Sequence, residues 1–172
     1  MEFWEVLNKR RSTRAFSNEE VEEEKLQKIL EAANSAPSAG NLQAYEIFLI
    51  KDKKIKDKLV EASGGQDFIA QAPVVLVFFA NPSRSEARYG SRGESLYSIQ
   101  DATIAATFAW LAAVDLGLST VWVGAFNDEE VKKICGADRS FQPIAILPIG
   151  YPAEIPTPHP RRKLEDLVHK LR

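Results

Sequence analysis

Lys9-Arg10-Arg11-Ser12-Thr13-Arg14 places four cations within six residues. Guanidinium groups present fork-shaped donors that match a phosphate bidentately, and a serine hydroxyl adds another donor. A second cationic stretch, Pro160-Arg161-Arg162-Lys163, lies near the other end of the chain. Between them stands Pro37-Ser38-Ala39-Gly40-Asn41-Leu42-Gln43. Its small residues allow close approach to backbone, while the Asn41 and Gln43 amides both donate and accept. That mixture suits a heteroaromatic ring with a carbonyl–NH–carbonyl edge. The fourth segment is Val121-Trp122-Val123-Gly124-Ala125-Phe126, a strand ending in Gly-Ala with exposed backbone N–H groups. Alone, each also fits a plainer description: a solvated basic turn, a charged tail, a helix-to-strand loop, a bare strand end.

Other chemistries lack their residues. There is no GxGxxG after a strand, no GxxxxGK[ST] and no GxSxG. The chain has 2 histidines, His159 and His169, and 1 cysteine, Cys135. A single cysteine excludes an internal disulfide, argues against a cysteine-held metal and suits a reducing cytoplasm. Net charge is −2, so the basic cluster reads as a site rather than part of a nucleic-acid surface. With few acid–base or metal groups available, the chemistry is expected to belong to a bound organic cofactor. No secretory leader is visible in MEFWEVLNKR, and the apolar run Ala102–Val114 is too short to cross a bilayer.

The elements that must position these segments follow from periodicity. Phe3, Val6 and Leu7 predict a short opening helix. Ser17-Asn18-Glu19-Glu20 reads as a capping box for a helix reaching about Ser35, with Leu26, Ile29, Leu30 and Ala33 on one face. Strands are expected at Tyr45–Ile50, at Val74–Ala80 (buried on both faces), at Thr120–Val123 and within Phe141–Ile149. Ile55–Ala62 reads as a helix stopped by Gly64-Gly65, and Asn127 as the cap of a helix reaching Cys135. Asn81–Ser95, polar and containing Gly90 and Gly93, reads as a mobile loop whose Arg84, Arg88, Tyr89 and Arg92 are candidate substrate contacts. Ile99–Leu116 is apolar all round, which predicts a helix enclosed on every side. A chain of 172 residues suits one domain, 1–172, and encloses such a helix best with a partner's help. Prolines 152, 156, 158 and 160 predict an extended tail, closed by an amphipathic segment at Leu164–Leu171. The fold class expected is α+β with a mainly antiparallel sheet flanked by helices.

Taken in order, RRSTR, APSAGNLQ, YSIQDATIAATFAWLAAVDLGLSTVWVGAF and PRRKLEDLV make the chain resemble the nitroreductase family of flavin mononucleotide (FMN) oxidoreductases. The resemblance covers nearly the whole chain. It implies a homodimer with two FMN sites at the subunit interface and the tail wrapped over the partner. Arg10, Arg11, Ser12 and Arg14 would hold the flavin phosphate, ribityl chain and ring edge, with Arg161 and Arg162 closing on the phosphate. Pro37, Ser38, Ala39, Asn41 and Gln43 would come from the other subunit and line the ring. Gly124 and Ala125 would set N–H groups near the flavin N5, with Val123 packed nearby. Two departures are visible: Arg161-Arg162-Lys163 stands where the family often has Arg-Lys-Pro, and the chain is short, without the long insertions that shape the substrate channel in many members.

The implied reaction passes hydride from NAD(P)H through N5 to a nitroaromatic, quinone or similar small-molecule acceptor, with no nucleic acid and no membrane involved. No side-chain acid is required for the hydride step. The sequence does not choose NADH over NADPH, and FAD, whose FMN half fits the same residues, stays open. A flavin carrier or sensor without turnover, a dehalogenase and a flavin-destroying enzyme are the alternatives on this scaffold.

Overall fold

A computed structural model describes residues 1–171. Its sheet has four antiparallel strands, β1 (Tyr45–Ile50), β2 (Val74–Ala80), β3 (Ser119–Thr120) and β4 (Gln142–Gly150), in the order β1-β2-β4-β3. Every residue of β2 is buried. Alternation along a strand sends successive side chains to opposite faces. Val74, Leu76, Phe78 and Ala80 accordingly join one core with helices α2 (Glu23–Asn34) and α6 (Ser98–Asp115). Val75, Val77 and Phe79 join the other, which takes in residues of α3 (Lys53–Ala62), α4 (Phe68–Gln71) and α7 (Asp128–Cys135). The antiparallel α+β architecture is the one the sequence predicts.

Local chemistry explains most boundaries. Asp52 caps α3 by accepting from the Ile55 amide at 3.0 Å, and Asn127 caps α7 by accepting from Glu130 at 3.1 Å. The expected capping box at Ser17 does not form. Ser17 Oγ accepts from the Glu19 amide in a local turn, Val21 is buried ahead of the helix, and α2 starts only at Glu23. The segment expected as the loop Asn81–Ser95 is mostly helical: α5 runs over Pro82–Arg92 and passes through a π-turn at Gly93–Tyr97 into α6. Gly90 kinks α5 with φ 58°, whereas Gly93 is a packing device. A Cβ on Gly93 would lie 2.4 Å from the Ser85 carbonyl oxygen, so only glycine lets the two turns meet. The strand expected at Thr120–Val123 shortens to β3 plus one bridge between Val123 and Ile146. At Leu164–Leu171 only a 3-10 turn forms, over Leu164–Asp166.

Helix α6 sends Ala102, Ala105, Ala106, Ala109 and Ala113 into the core. The opposite side, at Thr107 and Phe108, is open to solvent, so the described chain does not enclose this helix by itself.

Candidate active site

The first helix, α1 (Phe3–Lys9), delivers the chain into a strip that runs beside the sheet. Ser12 bridges Thr120, the Thr13 amide donates to the Thr120 carbonyl at 3.1 Å, and the Ser17 amide donates to the Tyr151 carbonyl at 2.9 Å. The Ala153 amide returns a bond to the Ala15 carbonyl at 2.9 Å. These pairings lay the cationic segment alongside the root of the tail. A cleft of about 450 Å³ results, lined by Asn8, Arg10, Arg11, Ser12, Arg14, His159 and Arg161 among others.

No arginine of this cleft forms an ion pair with a carboxylate among the described residues. Arg10 lies 4.8 Å over the Trp110 ring, and Arg11 donates to the Asn8 and Arg10 carbonyls at 2.6 and 2.9 Å. Burial, followed by the charges of Arg161 and Arg11, lowers the pKa of Arg10 from its ordinary value. Glu154 Oε1 accepts from the Arg14 backbone amide at 2.5 Å, yet none of these guanidinium groups is ion-paired among the described residues, which is the electrostatic form of a site for an anion. Of the two tail arginines, only Arg161 faces the cleft. Arg162 donates instead to the Asp166 carbonyl at 2.9 Å, so the structure does not bring it to the other cations.

A second cleft, of about 580 Å³, is lined by Pro37, Ser38, Ala39, Tyr97, Ile99, Gln100, Asp101, Thr103 and Ile104. It shares no lining residue with the cationic cleft. Its rim is the loop the sequence singled out, and the backbone there is unusual. Gly40, Asn41 and Gln43 all hold positive φ, at 58°, 56° and 44°. For a residue with a Cβ this region costs about 1–2 kcal/mol, so surrounding structure has to enforce it.

It does so from two sides. Buried Asp101 of α6 accepts from the Ala39 amide at 2.9 Å and from the Ala44 amide at 3.4 Å. From α5, Arg84 donates twice to the Leu42 carbonyl, at 3.1 and 2.9 Å, and Arg88 reaches the Gly40 carbonyl at 3.4 Å. Arg92 donates to the Tyr97 hydroxyl at 3.1 Å. The arginines expected as substrate contacts on a mobile loop thus brace neighbouring structure.

Inside the loop, Gln43 Nε2 donates to Asn41 Oδ1 and to Ser38 Oγ, which also accepts from the Gln43 amide. With those acceptors engaged, the Asn41 NH2 and the Ser38 hydroxyl remain free to donate. The loop is therefore biased toward a partner rich in acceptors.

Gly124 and Ala125 are exposed just past the Val123 bridge, and neither cleft includes them or Val123. The sequence reading missed Asn8 and His159 in the cationic cleft, and missed Asp101. Asp101 carried a signal: it is the one acidic residue within the apolar run of α6 between Ser98 and Val114.

The comparisons agree with this architecture. The sequence profile of the Nitroreductase family matches residues 7–66 and 62–151. An FMN reductase [NAD(P)H] of Bacillus subtilis is 35% identical over 177 residues, covering 95% of this chain and 71% of that protein. An oxygen-insensitive NADPH nitroreductase of Salmonella typhimurium is 32% identical, covering 96% of this chain and 72% of its own length. The structure of B. megaterium NfrA2 superimposes with a TM-score of 0.90 at 30% identity, over 97% of this chain and 73% of that one. The chain belongs to the nitroreductase family.

Proposed function

We propose that this protein is an FMN-dependent NAD(P)H oxidoreductase that works as a homodimer. The observation that carries the reading is the cationic cleft, where Arg10, Arg11, Arg14 and Arg161 gather around a space of about 450 Å³ and none of their side chains is ion-paired to a carboxylate among the described residues. Arg10, Arg11, Ser12, Arg14 and Arg161 would hold the FMN phosphate and ribityl chain. The FMN reductase [NAD(P)H] and NADPH nitroreductase names of the relatives support the cofactor and the co-substrate, and favour turnover over a carrier.

A second copy is argued from geometry. The ring-lining loop and the cationic cleft do not meet within one chain. Phe3 and Trp4 are 61% and 72% exposed, and Phe108 of α6 is open to solvent. Burying these on a partner would remove apolar surface from water and bring Pro37, Ser38, Ala39, Asn41 and Gln43 of one subunit over the cations of the other.

FMN held there would supply the redox chemistry, hydride transfer between NAD(P)H and an oxidised small-molecule acceptor such as a nitroaromatic or quinone. The protein's own work is binding and orientation. Arginines neutralise the phosphate. The Ser38 hydroxyl and Asn41 amide would donate to the ring's acceptor edge, and the backbone N–H groups of exposed Gly124 and Ala125 would stabilise charge that grows on the ring. No side chain has to move a proton in the hydride step.

The test is an absorbance spectrum of the purified protein, before and after anaerobic NADH or NADPH. Flavin bands that bleach within seconds are expected. A protein that stays colourless after incubation with FMN overturns the reading, and bands that persist with both nicotinamides overturn the reductase assignment.

A further inference from the structure

We propose that Asp101 is a positioning residue for the ring-lining loop and, through it, sets the electronic environment of the flavin. The inference rests on the flavin reading above. Asp101 is 2% exposed and has no cationic partner among the described residues. A buried carboxylate is retained against its desolvation cost only where strong hydrogen bonds or a function compensate. Its acceptors go to the two ends of one short loop, the Ala39 and Ala44 amides. Its charge also reaches Tyr45, whose pKa is raised, first by burial and then by Asp101.

Both its neighbours and its opponents point to the loop. Asp101 lies on the floor of the second cleft beside Ser38 and Ala39. Arg84 pulls on the Leu42 carbonyl from α5, at the middle of the same loop. The left-handed residues Asn41 and Gln43 sit between these ties. Backbone that is intrinsically unfavourable relaxes when a tie is cut, and the Asn41 and Ser38 donors turn with it. Asp101→Asn is nearly isosteric, yet its NH2 must face one of the two amides as donor against donor. One end of the loop is then released while the other stays held.

The experiment compares Asp101→Asn, Arg84→Met and the double variant as full-length protein. The probes are FMN affinity by fluorescence titration, the visible circular dichroism and reduction potential of bound flavin, and apo-protein melting. Each single variant should weaken FMN binding about tenfold, the scale of one lost charge-assisted hydrogen bond. Both should shift the dichroism and potential in the same direction, and the double variant should fall short of the product because both ties act on one loop.

A D101N protein that melts lower but keeps wild-type affinity, dichroism and potential overturns the proposal. A potential shift in D101N with none in R84M also overturns it, because the charge would then act directly on the ring. If D101N does not fold, R84M decides: unchanged flavin signals there overturn the idea. A wild-type protein that takes up no flavin is a different failure, since it removes the flavin reading itself before any variant is compared.

Discussion

The two clefts are built on opposite principles. The cationic cleft keeps Arg10, Arg11 and Arg161 together although their charges repel, so it is electrostatically unsatisfied until an anion arrives. The loop at the second cleft is strained in its backbone but tied down beforehand, by Asp101 below and Arg84 and Arg88 above. One region gains from its ligand through charge, while the other offers its ligand a shape already fixed. Charge complementarity and a preformed shape are thereby contributed by different parts of the chain.

The sharpest way to break that division is Gly40→Ala. Gly40 has φ 58°, and an added Cβ would lie 2.4 Å from the Tyr89 hydroxyl oxygen. Backbone strain alone should lower stability by roughly 1–3 kcal/mol, with further loss from displacing Tyr89. Denaturant melts of the apo protein measure this. An unchanged midpoint would show that the loop is softer than its ties suggest.

Arg161→Ala should behave in the reverse sense. FMN affinity is expected to fall on the order of tenfold or more, as for loss of one charged phosphate contact. The apo protein should melt no lower than wild type, because a repelling charge has gone. Titration with FMN and an apo melt check both halves, and a drop in apo stability without weaker binding would sink the electrostatic account. The paired outcomes of G40A and R161A then measure how independent the two regions are.

The smallest effect concerns the root of the tail that carries Arg161. Tyr151 donates to Glu22, and Lys25 donates to the Tyr151 hydroxyl. A backbone hydrogen bond at Glu22, then Lys25 and Tyr151, pull the Glu22 carboxyl from 4.5 down to about 2. A depressed carboxyl contributes stability that is present above its ordinary value and is lost as pH falls from about 4.5 through about 2. A carboxyl-resolved NMR titration should place the Glu22 transition low in that window, and Glu22→Gln should remove the corresponding part of the acid dependence of folding. A transition near 4.5 would mean that the contact does not hold in solution.

The sequence carried the cations, the small-residue loop and the strand VVLVFFA plainly, because each is written in consecutive residues. It hid whatever depends on distant contacts. Gly90 and Gly93 read as loop signals, yet Gly93 serves the close packing of α5 on the π-turn, a reason visible only once Ser85 is in place. Ser17 looked like a helix cap, but its hydroxyl closes a local turn with the Glu19 amide, Val21 is buried ahead of the helix, and the helix starts at Glu23. Arg161 and Arg162 are indistinguishable in one dimension, and only the tail's path separates them. Asp101 was passed over inside an apolar run because its partners, the Ala39 and Ala44 amides, lie far away along the chain.

The pairing of β2 with β4 carries a consequence for how the molecule assembles. The strands exchange hydrogen bonds from Val74↔Ile149 to Ala80↔Gln142, with α5, α6 and α7 all intervening in sequence. Closing so long a loop costs entropy before any of the ladder repays it, which makes such contacts late and slow. Until Gln142–Gly150 is available, the wholly apolar β2 can pair only with β1 and leaves its other edge open. During synthesis that edge is the segment most in need of protection from aggregation. Helices α2 and α6, which pack on each other without waiting for β4, are the natural first shelter for one of its faces.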